Sequence, residues 1–337
     1  MNSHIRRMFV KYRHEIVRLA SSTGAVCLTS QIRSCRNPSR IAINNNTPFR
    51  GYGFFLALAY LSKCGANSSA AVPRSIYRLS AAMDLIGAST VMQRIAYCGI
   101  EQGQEAKYTA HKNLLAGLMY GSTGINEISN YALKSDGTSK KVIADILASY
   151  VRDEMRALSV RTEAVSLWMN GKNPHITYDE YIAESSPKTV KYSMKLGETL
   201  ASGKSTDTNG GESLSVMLAA LEGLKLAEYI KKRKNLSIHI IDAVPLYMAA
   251  GCYGSAPEER INPQTNGTNR QLPVMISRNI SSHVLDAATA KLKDDIAVHY
   301  RKAMESLPPS FTCQDSLFRE YCEFIIGKEL KSSVIRK

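Results

Sequence analysis

Neighbouring aspartates are scarce in this chain, and that scarcity narrows its chemistry first. The 337 residues include 29 Asp and Glu against 43 Lys and Arg, a net charge of +14, and Asp294-Asp295 is the only pair of neighbouring aspartates. It is followed by Ile-Ala-Val-His, lacks a third acid, and reads as a solvated helix face. The seven cysteines (27, 35, 64, 98, 252, 313 and 322) are odd in number, and no two have CxxC spacing. That argues against a disulfide framework and a structural zinc site, and points to a reducing compartment. No apolar run approaches the roughly 18 residues of a membrane span. There is no phosphate-binding P-loop, no GxGxxG fingerprint and no Ser-His-Asp pattern. No zinc-finger, RNP-type or basic-aromatic motif supports nucleic-acid binding. His239 beside Asp242 is a spacing that chance supplies often, and His111, His175, His283 and His299 show no ligand pattern. Only 11 prolines and 21 glycines interrupt the chain, a composition that suits long helices.

The positive charge is concentrated at the start. Residues 1–50 hold nine Lys and Arg and a single acid, Glu15, which is net +8 of the whole +14. Ile5, Phe9, Tyr12, Ile16 and Leu19 recur at helical spacing over 5–19, with Arg7, Lys11, His14 and Arg18 opposite. A Ser-, Thr- and Asn-rich stretch with Arg33, Arg36 and Arg40 follows. A basic, acid-poor, amphipathic start of this kind has the composition of a mitochondrial targeting segment. It also fits a basic helix that docks on a partner or touches a membrane surface. The expected organisation is a basic arm over 1–45 and one helical domain over 46–337.

Beyond the arm the chain reads as consecutive helices, so the expected class is all-α. They span about 54–64, 75–97, 106–133 and 139–168, then 187–200, 213–231, 236–250, 279–306 and 314–331. Val142, Ile146, Leu147, Tyr150, Val151, Met155 and Leu158 form the clearest apolar stripe. Two polar, Gly-rich loops are expected at 202–212 and 254–271.

Several segments, in order, resemble the trans-isoprenyl (polyprenyl) diphosphate synthase family from about Phe49 to Val334. "AAMDLIGAST" (81–90) is similar to the helix that reads A-x-E-L-I-H-x-A-S before that family's first aspartate-rich motif. "YVRDEM" (150–155) is similar to its V-R-G-E-M/L, and "SSPKTVKYSMKLG" (185–197) to its K-T-A-S-L segment. "IHIIDAVPLY" (238–247) resembles F-Q-I-x-D-D-I-L-D-Y, "LPV" (272–274) the T-L-P-V element, and 304–326 the closing helix pair. The resemblance implies a helical bundle around a central cavity. In the family two DDxxD motifs face each other across that cavity and hold magnesium and a substrate diphosphate. Such an ion needs several hard oxygen ligands.

Here both motifs are broken. The first falls on Arg94, Ile95 and Cys98, with no acid left, and the second on Asp242, Ala243 and Leu246. The basic segment that takes isopentenyl diphosphate in the family is reduced to Arg50 within "PFRGYGFF" (48–55). Lys188 and Thr189 remain at the position that bears on the allylic diphosphate. The expectation is a degenerate site made of Arg94, Cys98, Lys188, Thr189 and Asp242, with Arg50 at the second subsite, no catalytic residue, no metal and no cofactor. "FRG" (49–51) is most similar to the non-catalytic subunit of heteromeric mitochondrial polyprenyl diphosphate synthases, which implies a catalytic partner and a role in ubiquinone side-chain synthesis. Two other readings stay open. One is the same fold recruited into a larger mitochondrial assembly such as a respiratory complex, ATP synthase or ribosome. The other is a divergent active prenyltransferase using Lys188, Thr189, Arg94 and Asp242.

Overall fold

The structure, a computed structural model, describes residues 3–22, 49–65, 72–100, 104–169, 172, 175–203, 209–232, 238–252, 275–276 and 280–327. The expected polar loop at 254–271 and Arg33, Arg36 and Arg40 lie outside the described residues. The chain is all-α. Its helices are α1 (Ser3–Ser22), α2 (Phe54–Lys63), α3 (Arg74–Ile100), α4 (Gln104–Leu133), α5 (Gly137–Met169), α6 (Tyr178–Ser185), α7 (Thr189–Ser202), α8 (Asn209–Lys232), α9 (Ile240–Ala249), α10 (Ser282–Ser306), α11 (Pro309–Thr312) and α12 (Leu317–Ile326). Two two-residue strands, β1 (Ile238–His239) and β2 (Met275–Ile276), pair antiparallel with Ile238 opposite Ile276. His239 therefore precedes the helix that carries Asp242, and the two do not share a helix.

The organisation follows from α2. Phe54 to Ala59 and Leu61 are all buried, so this helix is apolar nearly all round and sits in the interior. It packs against α3, α7, α11 and α12. The longest helix contacts are α3 on α4 and α8 on α10.

The N-terminal helix belongs to the same core. Ile5, Met8, Phe9, Tyr12, Ile16 and Leu19 are buried, and α1 packs along α3. Phe9, Tyr12, Phe54 and Tyr321 form one aromatic cluster from α1, α2 and α12, with ring centroids 5.0–5.6 Å apart. Edge and tilted contacts of this kind add to the burial of the rings. Glu15, the only acid of α1, is buried and accepts from Arg74 Nε of α3 (2.6 Å).

Three expectations need correction. The stripe expected on α5 holds except at one place: Ile146 and Tyr150 are buried and Val142 and Leu147 pack against the core, but Glu154 takes the inward position expected for Met155. Ile143, Ile146, Tyr150, Glu154 and Ala157 face inward, while Met155 is 49 % exposed. A helix step of 100° separates neighbours, so burying Glu154 carries Met155 to the surface. Helix α6 was not expected at all. Its signal is a capping box, in which Thr177 Oγ1 accepts from the Glu180 N–H and the Glu180 carboxylate accepts from the Thr177 N–H. Of the pair Asp294-Asp295, only Asp294 is exposed; Asp295 is buried and paired with Lys291 (2.7 Å).

Candidate functional site: a central cavity with committed acids

The site grows from one buried acid. Asp84 stands in the apolar run of α3, and its carboxylate faces the loop before α2. Gly51 takes a left-handed conformation (φ 75°), which only glycine adopts cheaply. Three successive backbone N–H groups then converge on the carboxylate. Gly51 N donates to Oδ2 (3.1 Å), and Tyr52 N (3.1 Å) and Gly53 N (3.3 Å) donate to Oδ1. Such a concave run of amides is an anion nest, here filled by the protein itself. Tyr12 Oη of α1 completes the set, donating to Oδ2 (2.8 Å). Burial pushes the Asp84 carboxyl above its ordinary range, and the hydrogen bonds from Tyr12 and the three amides pull it back part of the way.

A cavity of about 120 Å³ opens beside this nest. It is walled by the loop at 50–52 and by helices α3, α5, α6, α7, α8, α9 and α10. Arg50, Thr189 and Asp242, expected at two separate subsites, all line it. Leu246 also reaches it, while the neighbouring Ala243 is fully buried.

The polar groups on the walls have structural work. Glu154 of α5 accepts from Thr90 Oγ1 of α3 (3.1 Å) and from the Lys188 N–H (2.9 Å) at the start of α7. It thereby satisfies a helix-terminal amide that has no partner within its own helix. Arg161 donates to the Ser185 carbonyl through Nε (2.7 Å) and Nη2, closing the C-terminal end of α6. Thr189 Oγ1 is shared with Tyr150 Oη (2.7 Å). Gly87 of α3 packs against that pair: a β-carbon there would lie 2.6 Å from Thr189 Oγ1. Burial, together with the charge of Glu154, keeps Tyr150 protonated far above neutral pH. Glu222 of α8 accepts from Tyr52 Oη (2.5 Å) and lies 3.3 Å from Arg50 Nε. Arg50 itself is 7 % exposed, and its Nη1 is buried without a hydrogen bond. This Nη1 is a donor available to a water or a small anion.

Lys188 does not join the cavity. Its side chain turns into the α6–α7 junction, where Nζ donates to the Ala183 carbonyl (2.8 Å) and Ser186 Oγ (3.3 Å) and lies 3.7 Å from Glu212. Burial lowers its affinity for a proton, and Glu212 offsets part of that. Position explains the departure: Lys188 is the N-cap of α7, so its side chain leaves toward the preceding turn while Thr189 enters the cavity. Arg94 and Cys98 lie on α3, but their side chains are outside the described residues.

The cavity was only partly foreseen. Arg50, Thr189 and Asp242 were expected, whereas Asp84, Glu154, Arg161 and Glu222 were not. Two of the four stood in the quoted motifs, Asp84 in "AAMDLIGAST" and Glu154 in "YVRDEM". A lone acid inside an apolar helical run is a signal of a buried, partnered carboxylate.

The donor set does not fit the magnesium–diphosphate cluster that the resemblance implies. That cluster needs several carboxylate oxygens free to point at one ion. Asp84, Glu154 and Glu222 already accept from N–H or O–H donors of the fold. The second motif contributes only Asp242, and the first contributes no carboxylate by its residue identities. Among the described residues no group of three or more His, Cys, Asp or Glu is placed to share a metal ion. Compared with protein-family models, with curated proteins and with solved structures, the chain gives no match in any of the three.

Proposed function

We propose that this chain is a catalytically silent relative of the polyprenyl diphosphate synthases. It acts as the non-catalytic partner of an active prenyl synthase subunit in mitochondria, in ubiquinone side-chain synthesis. The observation that carries the reading is the commitment of the cavity's acids. Positions that the family resemblance assigns to substrate binding, Arg50, Thr189 and Asp242, share one cavity, yet the carboxylates beside them hold the protein's own amides and hydroxyls. At about 120 Å³ the space is well below the roughly 300 Å³ at which small-molecule pockets begin. A folded scaffold without chemistry of its own stabilises an active partner by binding its native state.

A surface feature supports partnership. Leu115, Leu118 and Met119 of α4 are 60 %, 52 % and 44 % exposed and share one face at i, i+3 and i+4. Three large apolar side chains on one helix face favour a protein contact. The same face suits the second reading, an accessory subunit of a larger mitochondrial assembly.

Affinity isolation of the full-length chain from its own cells separates the two. The expected result is an equimolar partner that bears two intact aspartate-rich motifs. Recovery within a large assembly that contains no prenyl synthase would replace the first reading with the second.

A further inference from the structure

The outward face of α1 carries charge of one sign. Arg6, Arg7, Lys11, His14 and Arg18 are exposed on it. Four of these, Arg7, Lys11, His14 and Arg18, recur at i, i+4, i+7 and i+11, which aligns them along one side of a helix. At 1.5 Å per residue the line is roughly 17 Å long. Nothing on the helix neutralises it, because Glu15 is buried against Arg74. Among the described residues, Arg6, Arg7, Lys11 and Arg18 form no ion pair. Toward the end of the helix, Arg13, His14, Val17, Arg18 and Ser21 border a shallow depression of about 380 Å³, open to solvent.

These features select among anionic partners. A helix that inserts into a bilayer uses its apolar face. Here that face is spent on the core, through Ile5, Met8, Phe9, Tyr12, Ile16 and Leu19. Apart from Val10, what remains for an external contact is charge. No aromatic ring is exposed along the line to stack on a base, which disfavours single-stranded nucleic acid. Val10, exposed beside Arg7 and Lys11, gives the line an apolar element suited to a headgroup boundary.

We propose that α1 is an electrostatic docking strip for anionic phospholipid headgroups, holding the protein on a negatively charged bilayer while its apolar face stays in the core. The inference is independent of how the cavity is read. Cations held near an anionic surface each add to binding, and the contact decays over a Debye length.

Vesicle flotation with the full chain tests it. Vesicles of phosphatidylcholine with about 25 % phosphatidylserine are compared with phosphatidylcholine alone, so that the two differ in surface charge. The expected result is binding to the anionic vesicles only, released at high salt, and reduced at least about tenfold in R7E/K11E/R18E. Circular dichroism and melting of that variant should stay close to the wild type, because the side chains are exposed and give up only a long cation–π contact of Lys11 with the Tyr77 ring (5.8 Å) and a 3.4 Å bond from Arg7 to the Ser3 carbonyl. Equal flotation of the folded variant and the wild type would overturn the proposal. So would binding to neutral vesicles, or binding to RNA or an acidic protein with no binding to anionic vesicles.

Discussion

Asp84→Ala should destabilise the fold by about 3–5 kcal/mol, because it strands three buried amides and the Tyr12 hydroxyl at once. That is a large fraction of the roughly 5–15 kcal/mol that holds a typical domain. Asp84→Asn should cost less, about 1–2 kcal/mol. Its amide oxygen can still accept from Tyr52 and Gly53, but its NH₂ group opposes the Gly51 N–H. Urea unfolding of the three proteins measures the series. The pH dependence separates them further. Burial raises the Asp84 pKa in the fold, so the folded state holds this proton more tightly than the unfolded chain does. Such a group lowers stability as pH rises from the ordinary carboxylate range through the folded pKa, and it does not drive acid unfolding. Asp84→Asn should remove that component, flattening the stability profile above pH ~4 relative to wild type.

The second large effect concerns α1. Phe9→Ala should cost about 3–5 kcal/mol, since it opens the aromatic cluster between α1, α2 and α12. Tyr12→Phe keeps the ring and removes only the bond to Asp84, at about 1–2 kcal/mol. Deleting residues 3–22 should do more than either, exposing Phe54, Tyr321 and the Asp84 nest to water together. The soluble fraction on expression and the melting temperature report all three. Full stability of the deletion protein would show that α1 is a dispensable arm. The segment's composition matches a targeting sequence, while its packing makes it part of the core. These two facts are compatible if one helix serves both needs with opposite faces, the apolar face inward and the cationic face outward.

The helical class was legible because it depends on local periodicity. Apolar spacing and few breakers placed nearly every long helix to within a few residues. α6 escaped because its eight residues carry little periodicity, although the Thr177–Glu180 capping box marks its start. On α5, Met155 was placed inward in the stead of Glu154 for a different reason. Met155 is a natural core residue and Glu154 is not, so propensity favours the wrong neighbour. Only Thr90 and the Lys188 amide, distant in sequence, make burying Glu154 worthwhile. The same holds for Asp84, whose four donors come from residues 12 and 51–53. Sequence spacing located Arg50, Thr189 and Asp242 but could not say that Lys188 turns away. That depends on its place at the N-cap of α7 and on acceptors at Ala183 and Ser186. Local rules thus give elements and candidate positions, while the partner of a buried polar group is decided by the tertiary fold.

The central claim of the proposed function is that Asp84, Glu154 and Glu222 serve the fold and that the chain has no prenyl-transfer activity of its own. It is tested most directly by incubating the purified full-length chain with magnesium, an allylic diphosphate and isopentenyl diphosphate, and analysing the products for chain elongation. The account predicts no elongated product from this chain alone, and product only when an active prenyl synthase subunit is added. Elongation by the chain alone, lost on Asp242→Ala while the fold is retained, would contradict it.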